Sequence, residues 1–212
     1  MLFYGKRVLF LGAHPDDIEI GCGALIHHIV PISDVLCVTF SDNQKNSELT
    51  RVVDEHFRSM AVLGVPKKKA IFGPFNTRVF PHDRQEILEY LLKLRTDFDP
   101  DIIFVHSRQD IHQDHNTMTA EALRAYRGIT LLGYDVVRSS HDFFPHFLVE
   151  VSEVDVQAKI EALSKYETYR EKYYFNPELT RAIMVRHGAL AEKPFAEGFD
   201  ILRIVGSFER CN

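Results

Sequence analysis

The strongest constraint in this sequence is an alternation of uninterrupted apolar runs with stretches patterned for helix. Arg7–Ala13 (RVLFLGA), Asp34–Ser41 (DVLCVTFS) and Asp101–Ser107 (DIIFVHS) carry apolar residues on both sides of an extended chain. A strand reads this way when both faces of its sheet are covered, as in parallel sheets. Ala70–Gly73, Phe147–Val151 and Ile201–Phe208 are predicted as further strands. Helical spacing predicts helices over Glu48–Leu63, Asp83–Thr96, Thr117–Tyr126 and Val156–Tyr169, the first stopped by Gly64-Val65-Pro66. The expected fold class is α/β, a three-layer sandwich with helices on both faces of a mainly parallel sheet. The 212 residues are read as one domain, 1–212, and a hydrophobic fraction of 45% is ample for its core.

Ligands of such sheets bind beyond the carboxyl ends of the strands. The first run leads straight into His14-Pro15-Asp16-Asp17, and the run at Asp101–Ser107 leads into Arg108-Gln109-Asp110-Ile111-His112-Gln113-Asp114-His115. Alone, the first cluster serves equally well as a turn with helix-capping aspartates, and the second as a solvated loop. Together, at matching ends of one sheet, they offer three histidines and four aspartates to a single point. Zinc favours such ligands, and catalytic zinc typically has three protein ligands plus water. A nucleotide cofactor is not expected, because the turn after the first run reads GAHPDD rather than GxGxxG. Gly21 and Gly23 fall later, within a predicted helix, where they allow close packing on the sheet.

The run Gly12-Ala13-His14-Pro15-Asp16-Asp17-Ile18-Glu19-Ile20-Gly21-Cys22-Gly23 resembles the signature of PIG-L (LmbE-like) N-deacetylases. His112-Gln113-Asp114-His115 resembles that family's second metal motif. Arg51 and Glu55 ahead of Leu63-Gly64-Val65, and the segment from Phe144-Pro145-His146-Phe147 to Tyr166, are similar to its central helix and its late strand and helix. The resemblance implies a Rossmann-like fold and a zinc-dependent hydrolase that removes N-acetyl groups, often from N-acetylglucosamine-containing molecules. It implies His14, Asp17 and His115 as ligands of one Zn2+ per chain, with another divalent metal an alternative on donor chemistry. It further implies Asp16 as general base, His112 as the histidine that stabilises or protonates the tetrahedral intermediate, and Asp114 as the aspartate supporting it. Ile18 separates Asp17 from Glu19, where many members have glutamate directly after the aspartates, so Glu19 inherits no role.

The chemistry agrees with these assignments. Amide hydrolysis needs a base beside the attacking water, and Asp16 adjoins a ligand in sequence. It also needs charge stabilisation on the developing oxyanion, which a charged His112 held by Asp114 would supply. Arg51, Asp42, Asn43 and His146 are the candidate substrate contacts, Asp42 and Asn43 because they close the second strand. His106 and Asp110 flank the second motif and suit outer support of the ligands. His27, His28, His56 and His82 are read as structural, and Arg186-His187-Gly188 as a loop or turn.

The substrate is therefore expected to be a small N-acetylated molecule of sugar-like character. The alternatives are a metal-dependent amidase or esterase on another substrate, and a carbohydrate-binding protein without turnover. The last has no use for Asp16. With 25 basic and 30 acidic residues, no nucleic-acid partner is expected. No apolar run approaches the roughly 18 residues of a membrane span. The cysteines, Cys22, Cys37 and Cys211, form no disulfide framework, which suits a cytoplasmic location. Oligomeric state stays open, a homo-oligomer included.

Overall fold

The computed structural model describes residues 2–43 and 49–206. Its chain order is β1 (Arg7–Gly12), α1 (Asp17–Ile29), β2 (Asp34–Ser41), α2 (Val52–Val62), β3 (Ala70–Phe75), α3 (Arg84–Phe98), β4 (Ile102–His106), α4 (Gln113–Ala125) and β5 (Thr130–Tyr134). Then come β6 (Phe147–Glu150), α5 (Glu153–Ser164), α6 (Pro177–Leu190) and β7 (Ala196–Arg203). Short 3₁₀ turns at Glu167–Tyr169 and Tyr173–Phe175 join α5 to α6.

The strands form one sheet in the order β3-β2-β1-β4-β5-β7-β6. The first five run parallel, and β7 pairs antiparallel with both β5 and β6. Alternate side chains of the parallel strands feed two cores, as the continuous apolar runs require. Val8, Phe10, Cys37 and Phe104 pack with α1, α2 and α5 on one face. Leu9, Leu11, Val38 and Val105 pack with α3 and α4 on the other. The result is the expected three-layer α/β sandwich with a mainly parallel sheet.

Gly21 shows why α1 lies so close to the sheet. A Cβ there would come within 2.2 Å of the Tyr134 ring. Gly23 makes a similar approach to the Lys159 side chain.

Several predicted elements shift. The second strand matches residue for residue, but the helix predicted from Thr117 begins at Gln113. His115 therefore sits in the first turn of α4 and His112 is its N-cap, rather than both lying in a loop. The helix predicted over Val156–Tyr169 begins earlier and ends at Ser164. The predicted start at Glu48 and the end of the Ile201–Phe208 strand lie outside the described residues; the last strand is Ala196–Arg203.

Two elements carried no prediction, β5 and α6. Arg186-His187-Gly188 lies inside α6, not in a loop. The helix buries only Thr180, Met184, His187 and Gly188, too sparse a face to show as apolar periodicity. Its start was nonetheless written in the sequence, since Asn176 caps the Glu178 amide and Pro177 takes the first helical position. No helix among the described residues is long and apolar enough to cross a membrane. Cys22 and Cys37 are buried free thiols, and Cys211 lies outside the described residues.

Candidate metal centre

β1 and β4 are neighbours in the sheet, and the segments leaving their carboxyl ends meet. His14 Nδ1 lies 3.2 Å from His115 Nε2 and 3.5 Å from Asp17 Oδ2, and His115 Nε2 lies 3.3 Å from Asp17 Oδ2. Three donor atoms thus form a nearly equilateral triangle. The edge of a tetrahedron with zinc–ligand bonds of about 2.0–2.2 Å is about 3.3–3.6 Å. The spacing fits one such ion with a fourth corner open to the cavity.

The far sides of both rings are held by carboxylates. His14 Nε2 is 3.0 Å from Asp114 Oδ2, and His115 Nδ1 is 2.7 Å from Asp110 Oδ2. These contacts favour ring protons on the outer nitrogens, which leaves the two inner nitrogens able to offer lone pairs to a cation once His115 has lost its second proton. A cation between them satisfies both, as in carboxylate–histidine–metal arrangements. Ser139 donates to Asp110 Oδ2, and the amides of His14 and Arg78 donate to Asp17 and Asp114. The outer role expected of Asp110 is therefore visible as a direct contact. Asp110→Asn is expected to weaken zinc binding about 10- to 100-fold, measured by competition with a chelator. Unchanged affinity would mean that the contact does not orient His115.

Without an ion the site holds protons. Burial opposes a charged His115, but Asp17 and Asp110 beside it outweigh that and push its pKa up to about 10. Burial likewise opposes an ionised Asp17, yet His115 and His106 hold its carboxyl well below the usual range. Loading a cation at neutral pH must displace the His115 proton, so binding strengthens as the pH rises.

His106 and His112 also approach. Asp17, His106 and His115 offer donor atoms within 4.8 Å of one another, as do His14, His112 and His115. His106 Nε2 is engaged by the Ala13 amide at 3.1 Å, and its ring stacks on His115 at 3.8 Å. It backs the ligand ring from the sheet. Burial and then His115 lower its pKa to about 3.

His112 departs from the expected pairing. Asp114 turns its carboxylate to His14 and to the Arg78 and Phe80 amides, not to His112. His112 Nδ1 instead accepts the Asp114 amide at 3.2 Å, capping α4. Burial, with His115 and His14 nearby, lowers its pKa to about 4. The ring is neutral at neutral pH, with its Nε2 proton free of the cap. The reason is the helix: Asp114 lies within α4, and its side chain points back toward the 78–80 segment.

Asp16 has φ of 95°, in the left-handed region that disfavours a side chain. Asn43 (φ 59°) and Arg78 (φ 71°) share that conformation, and all three line the same cavity of about 130 Å³ with His14, Asp17 and His115. Such backbone is maintained only where surrounding structure over-determines it, commonly at working sites. Burial, and then Asp17 and Glu19, raise the Asp16 carboxyl well above its usual value, while Lys172 and Arg138 pull it back.

The opposite wall was not foreseen. Val136, Arg138 and Ser139 follow β5, while Tyr169, Lys172 and Tyr174 come from the turns between α5 and α6. The only sequence signal is the aromatic and basic run Tyr166–Phe175, of which only the part to Tyr169 falls in a predicted element, the end of a helix. Of the predicted substrate contacts only Asn43 lines the cavity. Asn43 donates to Tyr169 Oη at 3.4 Å. Asp42, just before it, is not part of that wall. Arg51 is exposed at the start of α2 and pairs with Glu167 at 3.4 Å. The exposed His146 faces Asp200 at 3.9 Å, at the β6–β7 edge. Neither side chain lines the cavity, and nothing local in the sequence tells which way these side chains turn.

Known proteins share this fold and part of this sequence. The uncharacterized deacetylase YaiS of Escherichia coli (strain K12) is 29% identical over 77% of this chain and 91% of its own. The conserved protein TT1542 from Thermus thermophilus superposes with a TM-score of 0.76 at 21% identity, covering 96% of this chain and 97% of its own. The N,N'-diacetylchitobiose deacetylase from Pyrococcus horikoshii gives 0.69 at 20% identity, covering 93% and 84%. The family model for PIG-L, GlcNAc-PI de-N-acetylase, matches residues 9–126, more than half of the chain and all of the converging His/Asp residues, so the chain belongs to the PIG-L family.

Proposed function

We propose that this chain, working as one domain, is a zinc-dependent hydrolase that removes the acetyl group from an N-acetylated, sugar-like substrate. Family membership supports the amide-hydrolase class. The observation that carries the finer reading is the triangle of His14, Asp17 and His115 donors beside Asp16 at the floor of an open cavity. A zinc ion held there would supply Lewis acidity and lower the pKa of a bound water to about 7.

The chain's own residues do the rest. Asp16, buried and raised in pKa, takes the proton released as water attacks the amide carbon. His112 donates its Nε2 proton in a hydrogen bond to the carbonyl oxygen as negative charge builds there. Its neutral state is no obstacle, because a neutral imidazole N–H is a competent donor. Asp16 then returns its proton to the departing amine, leaving acetate and a free amine.

The test is acetate release from a panel of N-acetyl sugars by the zinc-loaded chain, before and after chelation. The expected result is turnover that disappears on chelation and returns with zinc. Turnover indifferent to thorough chelation would sink the metal reading. Absence of acetate release across the panel would favour an amidase or esterase on other substrates. Soluble substrates in a reducing cytoplasm suit the free Cys22 and Cys37.

A further inference from the structure

The cavity carries two cations that the metal residues do not need. Lys172 Nζ sits 3.7 Å above the centre of the Tyr169 ring and 5.7 Å from that of Tyr174. The Arg138 guanidinium lies 5.5 Å from the Tyr174 ring centre, and its Nη1 donates to Tyr174 Oη at 3.3 Å. Tyr174 therefore stands between the two cations and fixes both. Neither forms an ion pair with a carboxylate among the described residues, whereas Arg170 and Arg181, near Lys172 in sequence, each pair with a glutamate. Lys172 is half-buried, and taking an ammonium out of water without a carboxylate partner is costly.

We propose that Arg138 and Lys172 form an anion subsite, and that the substrate carries a phosphate or carboxylate group close to its N-acetyl amine. The inference rests on the deacetylase reading and names the substrate class for that site. Aromatic faces hold a cation in place without neutralising it, so the charge stays available to a ligand. The two cations come from different segments, one after β5 and one between α5 and α6, and line the same cavity as Asp16, Asp17 and the histidines. A substrate with an anionic group on these cations has its amide directed to the base and the metal residues. The guanidinium suits two-point binding of a phosphate or carboxylate, and the ammonium adds a point charge.

A second role competes: the cations act on Asp16 alone and touch no substrate. The experiment separates the two. The zinc-loaded chain is assayed on N-acetylglucosamine, N-acetylglucosamine 1-phosphate and N-acetylmuramic acid, which are neutral, phosphorylated and carboxylated. In the wild type a charged substrate is expected to exceed the neutral one by about 10-fold or more in kcat/KM, the scale of one hydrogen bond to a charged group. Which charged substrate leads tells phosphate from carboxylate. Arg138→Gln and Lys172→Gln are expected to shrink that ratio, chiefly through KM, and high salt to shrink it in the wild type. Equal kcat/KM on all three substrates, or variants that lower all three alike, overturns the subsite. Calorimetry with inorganic phosphate gives a reading independent of turnover. The double variant should bind phosphate about 10-fold more weakly than the wild type. Unchanged phosphate binding overturns the subsite even if turnover is found, whereas weakened binding without any acetate release faults the deacetylase reading instead.

Discussion

Asp16→Asn is expected to retain zinc and to lose about 10²- to 10⁴-fold in kcat, the range for removal of a general base. The substitution is nearly isosteric and leaves all three ligand side chains in place. It also leaves the backbone at ease, because asparagine tolerates the positive φ of this position better than most residues. Loss of activity therefore cannot be charged to misfolding, provided the melting temperature is unchanged. The measurement is acetate release at matched metal content, read by elemental analysis. Near-normal turnover by the loaded variant would mean that another group accepts the water's proton.

His115→Ala is expected to lose its metal, and with it activity. His115 is the ligand most deeply tied to its surroundings, held by Asp110 on one nitrogen and stacked between His106 and His112. Its removal leaves two donors and an open corner on the floor, and excess zinc restores activity only in part. His112→Ala behaves differently. It keeps the triangle intact, so metal content should be nearly unchanged while kcat falls about 10²- to 10³-fold, as for one lost oxyanion donor. Because the pKa of His112 is lowered to about 4, it is already neutral through the neutral range. The basic limb of the pH–rate profile should therefore survive its removal. If His112→Ala emptied the site while His115→Ala kept its metal, the two assignments would be exchanged.

Much of this could be read from the chain, for identifiable reasons. Strands buried on both faces leave runs such as Asp34–Ser41 with no break, and the sheet bears that segment out to the residue. The convergence of His14 and His115 followed from topology, since adjacent parallel strands deliver their carboxyl-end segments to one place. What escaped were side-chain directions set by contacts distant in sequence. Asp114 adjoins His115 and lies two residues from His112, yet its partner is His14. Arg170 and Lys172 look equivalent in the run Tyr166–Phe175, but one pairs with Glu171 at the surface and the other lies over Tyr169 in the cavity. Arg51 and His146 were plausible by position and turned elsewhere. β5 and α6 were missed because short or half-exposed elements leave little periodicity behind.

The two walls of the cavity have different origins along the chain. Every residue of the donor triangle and its carboxylate props falls between residues 14 and 115, inside the segment that matches the family. The facing cations and tyrosines all come after residue 135, from two connections that add no strand to the parallel half of the sheet. Mutational drift in those connections can reshape the mouth without touching the groups that would break the bond. Changes at a handful of those loop positions alter what the cavity admits and leave the donor triangle as it is. The donor triangle and the two cations of the cavity are thus carried by separate stretches of the gene.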